Sequence, residues 1–183
     1  YLEMARAAAA GGAALRVVFF LQPLAVGAAG LLVECAVTEG RFEVRSRVDD
    51  SLEEAAVHCS GALVASDGWE RAEHASTRGR SCARAAHVGT LYDDFDVVGL
   101  QYGPGYRTLM HAWGGASDAA ARLRARATHE GTRVHPADLD DALWLGAVVS
   151  ESGGGERWLP FAVDDAQLQG AMGALWAVRA CSW

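Results

Sequence analysis

The apolar positions of this chain fall into two successive blocks with the same order of elements. Leu2 to Ala10 is built from strong helix formers, and Gly11-Gly12 stops it. Runs rich in β-formers follow at Arg16–Val26, Leu31–Val37, Phe42–Val48 and Ala55–Val64, so one helix precedes about four strands. Between Ser66 and Ala86 the composition turns polar and arginine-rich with almost no aliphatic residues, as a surface linker would. Leu91, Phe95 and Val98 then recur at helical spacing, and QYGPGYRTL carries a Gly-Pro-Gly core that forces a turn before another β-like run. The pattern predicts a first half over residues 1–65, a linker over 66–86 and a second half over 87–183.

AAARLRARAT at 119–128 has the composition of a helix but the strict alternation of a half-exposed strand, and the alternation decides for strand. After it, His135 suits an N-cap and Pro136 the first helical position, which predicts a helix running to about Val149, where SGGG ends it. Glu156–Val163 and Ala174–Trp183 read as strands, the latter with Trp176, Val178 and Ala180 on one face and Leu175, Ala177 and Cys181 on the other. Within the helix, residues four apart stack, so Asp140, Trp144 and Val148 share a stripe while Asp138 and Asp141 point elsewhere. Asp138 and Asp141 read as solvated charges favouring the positive end of the helix dipole. A carboxyl in an apolar stripe is costly to ionise, which allows Asp140 to hold a proton near neutral pH, as a general acid must, although spacing alone favours a plain helix-surface aspartate.

A chain of 183 residues that is 51% apolar can bury a substantial core. A net charge of -7, with arginine as the sole basic residue type, offers no basic stripe for a polyanion, which argues against nucleic acid and anionic membranes. The uncharged stretch Val17–Val33 is interrupted by Gln22-Pro23, Gly27 and Gly30, so it reads as strand, turn, strand and not as a membrane span. The N-terminus lacks the pattern of a signal peptide and does not begin with Met, so the chain is expected to start inside a longer protein. Cys35, Cys59, Cys82 and Cys181 form no CxxC pair and read as buried thiols in a reducing cytoplasm. No metal site is expected: His129 and His135, with Glu130, match no standard ligand spacing. His58 and Cys59 are strand neighbours that point to opposite faces, and Gly153–Gly155 lacks the helix start of a phosphate cradle.

QYGPGYRTL at 101–109, VHPADLDDALW at 134–144 and LPFAV at 159–163 resemble the second half of a polyketide synthase dehydratase domain, with its YGPxF, HPxxLDxxxQ or H, and LPF motifs in that order. Upstream, YLEMARAAA resembles the central helix of the family's first half, FFLQPLAV its FxxPL strand and VHCSGALV its HxxG strand. The resemblance covers nearly the whole chain and implies an α+β double hotdog, two long helices each wrapped by a curved antiparallel sheet.

It also implies a reaction: loss of water from a β-hydroxyacyl thioester carried on the phosphopantetheine arm of an acyl carrier protein, with no bound cofactor. Asp140 falls on the aspartate that protonates the departing hydroxyl, and Tyr102 on the tyrosine of the YGP motif, with Gly103 and Pro104 shaping its turn. His135 falls on the histidine of HPxxLD, and Trp144 on the position usually held by Gln or His. An indole N–H donates one hydrogen bond and accepts none, so Trp144 can still orient Asp140. Tyr106 replaces the usual Phe, and Asp138 and Asp141 stand where small or apolar residues are common, which suggests a wetter helix face.

The family's base lies in HxxxGxxxxP, ahead of the first central helix. Of the histidines here only His111 has a glycine four residues on, Gly115, and residue 120 is alanine instead of proline. The resemblance thus implies a base outside this chain and a segment shortened at both ends. Two alternatives accompany the dehydratase: a noncatalytic, degenerate domain with a structural or dimerising role, and a product-template-type cyclase. The expected partners are the acyl carrier protein, neighbouring synthase domains and a second copy in a homodimer.

Overall fold

Helix α1 (Leu2–Ala8) buries Leu2 and Ala5 and packs on strands β1 (Ala13–Phe20), β2 (Leu31–Thr38) and β3 (Arg41–Val48). Glu3, on the same buried side, receives the Arg6 guanidinium on both oxygens at 2.6 Å. The structure, a computed structural model, describes residues 1–9, 13–48, 54–65, 79, 82–97, 99–128, 130–149, 162–168 and 175–180, with the backbone alone at residues 147 and 175–180. The chain divides into two compact units, Tyr1–Trp69 with Trp158–Gln169, and Glu70–Arg157 with Gly170–Trp183. Among the described residues the first is an antiparallel sheet with one α-helix and the second an antiparallel sheet with two, as the α+β reading requires.

The first sheet has the order β2-β3-β4-β1-β8, where β4 is Ala56–Ala65 and β8 is Ala162–Ala166. β3 shows plain alternation: Phe42, Val44 and Ser46 are buried while Arg41, Glu43 and Arg47 face out. Its turn from β2 holds Glu39 at φ 50° and Gly40 at φ 74°, the two positive values of a tight two-residue hairpin. Phe42 lies opposite Gly61, whose missing side chain makes room for the ring; a Cβ there would sit 2.7 Å from it. β1 departs from simple alternation. Its register against β4 slips by one residue between Arg16 and Phe19, with Val17 at φ 50°, so Leu15 and Val18, three apart, both reach the core. β1 also ends at Phe20, short of the expected Val26, because Pro23 has no N–H to give a ladder; the Gln22 side chain instead donates to the Val57 carbonyl at 2.9 Å. Among the described residues no helix is long and apolar enough to cross a membrane.

The second sheet has the order β5-β6-β7-β9, with β5 at Arg84–Ala86, β6 at Leu109–Gly114, β7 at Asp118–Leu123 and β9 at Leu175–Ala180. Helices α2 (Val88–Val97) and α3 (Pro136–Trp144) belong to this unit, and α3 tightens into a 3-10 turn over Leu145–Val148. The ambiguous arginine-rich segment is a strand as far as Leu123, the last position at which a side chain is buried. Gly114 lets β6 pass against the 3-10 turn: a Cβ would collide with the Val148 carbonyl, which receives Arg84 Nη2 at 2.7 Å. The core gathers Tyr92, Phe95, Leu109, Ala121, Leu123, Trp144, Leu145 and Val148.

Two boundaries differ from the sequence pattern. Arg84–Ala86, assigned to the linker, is a strand paired with β6, since ladder hydrogen bonds accept the short polar edge that side-chain composition disfavours. Ala162–Ala166, assigned to the second half, pairs with β1 in the first sheet. The expected side-chain faces of 175–180, the remaining linker apart from residue 79 and residues 82–86, residues 156–161 and Val98 lie outside the described residues.

Candidate active site

Helix α3 begins as its sequence requires. His135 Nδ1 accepts the Ala137 N–H at 3.2 Å as N-cap, and Pro136 occupies the first turn, where its missing N–H costs nothing. The buried positions that follow are Ala137, Asp138, Asp141 and Trp144. Two expectations are therefore corrected: Asp138, at 4% exposure, and Asp141, at 0%, are not solvated charges. Each is held by partners far along the chain. Arg126 Nε lies 3.0 and 3.1 Å from the two Asp138 oxygens. Asp141 accepts the Tyr92 hydroxyl at 2.9 Å on both oxygens, the Thr108 N–H at 2.7 Å, and the Thr108 hydroxyl. The signal was present in the spacing, because Ala137, Asp141, Leu145 and Val149, each four apart, are all buried.

Asp140 lies at the margin of that stripe, half-buried. Burial pushes its carboxyl above the usual aspartate range, hydrogen bonding from the Tyr102 hydroxyl pulls it back, and the charge of Asp141 adds to the rise. Tyr102, from the YGPGY segment, is likewise pushed up by burial and by Asp140, and its oxygen receives the Trp144 indole N–H. Three sequence candidates thus lie together, with Trp144 beside Tyr102 and Tyr102 beside Asp140. Trp144 reaches Asp140 through the phenol, a different arrangement from direct orientation. Around them the rings of Tyr92, Phe95, Tyr102 and Trp144 pack with centroids 4.9 to 6.1 Å apart, which keeps water from one side of the carboxyl.

The segment carrying Tyr102 is pinned by arginines. Arg107 Nε donates to the Tyr102 carbonyl at 2.8 Å, Arg124 Nη2 to that of Pro104 at 2.9 Å, and Arg126 Nη2 to that of Gly105 at 3.3 Å. Arg126 therefore ties this turn to Asp138 on α3. Pro104 opens a 3-10 turn, Pro104–Tyr106, while Gly103 has φ -68° and ψ 163°, values open to any residue. A half-buried carboxyl that retains its proton beside a phenol can deliver that proton to a poor leaving group.

Other candidates are engaged elsewhere. His58 Nε2 meets the Ser46 hydroxyl at 2.7 Å and its Nδ1 the Pro23 carbonyl at 3.1 Å, while burial pushes the Cys59 thiol up to about 11, leaving it a poor nucleophile at neutral pH. Cys35, Cys59 and Cys82 are free thiols. Among the described residues no cluster of three or more His, Cys, Asp or Glu stands ready for a metal. His129, Gly153–Gly155, Cys181 and the Leu159-Pro160-Phe161 motif lie outside the described residues.

The family described as polyketide synthase dehydratase N-terminal domain matches residues 70–182. Polyketide synthase ThaG of Burkholderia thailandensis is 31% identical over 97% of this chain, which spans 4% of that protein's length. Among solved structures, the dehydratase domain of the CurF module of curacin polyketide synthase superposes with TM-score 0.81 at 18% identity, covering 100% of this chain and 72% of that one. The CurK dehydratase domain gives 0.76 at 18% identity, covering 100% and 70%. CurK is also solved as two inactive mutants, one replacing a histidine by phenylalanine and one an aspartate by asparagine.

Proposed function

The chain belongs to the polyketide synthase dehydratase domains, an α+β double-hotdog fold, and on that premise we propose that it removes water from a β-hydroxyacyl thioester to leave an enoyl thioester. The substrate is presented on the phosphopantetheine arm of an acyl carrier protein within a larger synthase, as the much greater length of ThaG suggests. Neighbouring synthase domains and a second copy of the chain complete the assembly, and no cofactor enters the reaction.

The chemistry divides between a base and an acid. A base takes the proton α to the thioester carbonyl, the C–O bond at the β-carbon breaks as the double bond forms, and an acid protonates the departing hydroxyl so that it leaves as water. Asp140 is that acid. The observation that carries this reading is its carboxyl, half-buried, raised above the ordinary range and hydrogen-bonded by Tyr102. Tyr102 holds the acid in direction. The inactive Asp-to-Asn and His-to-Phe changes in CurK favour the same pair of roles. The base is a histidine of an HxxxGxxxxP motif, which these 183 residues do not contain. His87 engages Thr90, and His135 caps α3.

One observation favours the noncatalytic alternative: the Trp144 N–H serves Tyr102, so this position gives Asp140 no direct donor. The test supplies the synthase carrying this chain with a β-hydroxyacyl thioester and follows loss of one water by mass spectrometry. Enoyl product is expected from the wild type, with a drop of about 100-fold or more in Asp140→Asn. Equal turnover in that variant would remove Asp140 as the acid.

A further inference from the structure

Helix α3 carries a second carboxyl that the dehydration scheme leaves without a role. Asp141 is fully buried, and the side chains and backbone around it all present donors. They come from two other elements: Tyr92 from α2, and Thr108 from the residue just before β6. The Tyr92 oxygen itself accepts the Leu109 N–H at 3.2 Å, which leaves its own proton for Asp141. A backbone N–H such as that of Thr108 cannot accept, so no proton on Asp141 can be directed at it. The cradle is built for a carboxylate.

Holding the helix in place does not by itself require this. An apolar side chain of similar volume would anchor α3 without the desolvation cost of an ion, so the buried acid points to a purpose other than stability. Successive residues of an α-helix are rotated by about 100°. Fixing Asp141 between Tyr92 and Thr108 therefore fixes the roll of α3, and with it the direction of Asp140 toward Tyr102.

Resting on the dehydratase reading, we propose that Asp141 is the positioning residue of the acid: held as an anion by Tyr92 and Thr108, it aims Asp140 at Tyr102 and keeps a like charge beside it that retains its proton. Two neighbouring carboxyls in a dry site divide their states, and the one with the better donors takes the charge. Burial raises both, but Thr108 and Tyr92 draw Asp141 back down, while the charge on Asp141 drives Asp140 further up. The surrounding ionisable groups do not upset this division. On α2, Asp94 is half-buried while Asp93 and Asp96 are exposed, and Asp96 pairs with Arg107, whose guanidinium lies 5.4 Å from the centre of the Tyr92 ring. Tyr102, pushed up by burial, keeps its proton. At the start of α3, Asp138 pairs with Arg126.

The test is the pH profile of kcat for the intact protein. Turnover falls at high pH as Asp140 loses its proton, and removing the adjacent charge lowers the pH at which that happens. Asp141→Asn should move the falling limb down by about one pH unit. Should that variant fold poorly, Asp141→Leu combined with Tyr92→Phe and Thr108→Val removes the charge together with its hydroxyl donors, and the same shift is expected. A lower kcat with the limb unmoved, in whichever variant folds, overturns the proposal and reduces Asp141 to packing. A wild-type protein that dehydrates no β-hydroxyacyl thioester at any pH overturns the dehydratase reading itself, a result visible before any variant is compared.

Discussion

The Tyr92 hydroxyl stands 2.9 Å from both carboxylate oxygens of Asp141, bridging α2 and α3 at the centre of the second unit. Tyr92→Phe leaves the ring contacts with Phe95 and Tyr102 in place and deletes the bridge alone. A hydrogen bond to a buried charge contributes more than a neutral one, so a loss of about 2 kcal/mol is expected. Urea unfolding followed by tryptophan fluorescence measures it; a change below about 0.5 kcal/mol would mean that Thr108 satisfies the carboxylate unaided.

Two ion pairs of similar length should differ sharply in consequence. Arg126 and Asp138 meet at 3.0 Å with side chains 18% and 5% exposed, whereas Arg16 and Asp165 meet at 3.1 Å with 56% and 50% exposed. Removing one partner of a buried pair strands the other, so Arg126→Met should cost about 3 kcal/mol. Arg16→Met should cost about 0.5 kcal/mol or less, because water already screens that pair. Thermal unfolding of both variants at low and high salt checks the contrast.

The glycines also separate. In Gly61→Ala the new methyl would press on the buried Phe42 ring, and a loss of about 1 to 3 kcal/mol is expected. Gly103 has open space around it and an ordinary backbone, so Gly103→Ala should leave stability within about 0.5 kcal/mol of wild type. If Gly103→Ala nonetheless lowers turnover, the defect lies with substrate access at the turn, which activity and unfolding assays together distinguish.

The raised carboxyl of Asp140 makes a prediction about pH. A group whose pKa is higher folded than unfolded binds more protons in the native state, so its stabilising contribution is complete below the ordinary aspartate value and is lost as pH rises through the folded value. Asp140→Asn cannot lose a proton. Its stability relative to wild type should therefore improve as pH climbs across that window. Denaturant titrations at pH 4 and pH 8 read the difference directly, and a relative stability that does not change with pH would place Asp140 in ordinary solvent.

Much of this architecture was legible from local pattern. The helix-then-strands order, the alternation of β3 and the His135 cap all depend on neighbours within a few residues, where spacing carries the information. Asp141 was not legible in the same way. An acid in a first helical turn looks the same on paper whether it meets water or a hydroxyl from Tyr92, and only its fourfold spacing with Ala137, Leu145 and Val149 hinted at burial. The slip at Val17 escaped for a related reason: alternation assigns Leu15 and Val18 to opposite faces, and one extra residue in the ladder reverses that. Arg84–Ala86 and Ala162–Ala166 join their sheets through backbone hydrogen bonds, which no side-chain pattern reports.

The pairing of β8 with β1 has a consequence for how the protein is made. Translation delivers β1, β2, β3 and β4 early, but the strand that closes the far side of β1 emerges only after α3 has been synthesised. Until then β1 presents an open row of N–H and C=O groups to the cell, and a neighbouring nascent chain offering the same strand competes for it. The first sheet is thus completed only after the helices of the second unit have been made, and the interval between is when the free edge of β1 is exposed to wrong partners.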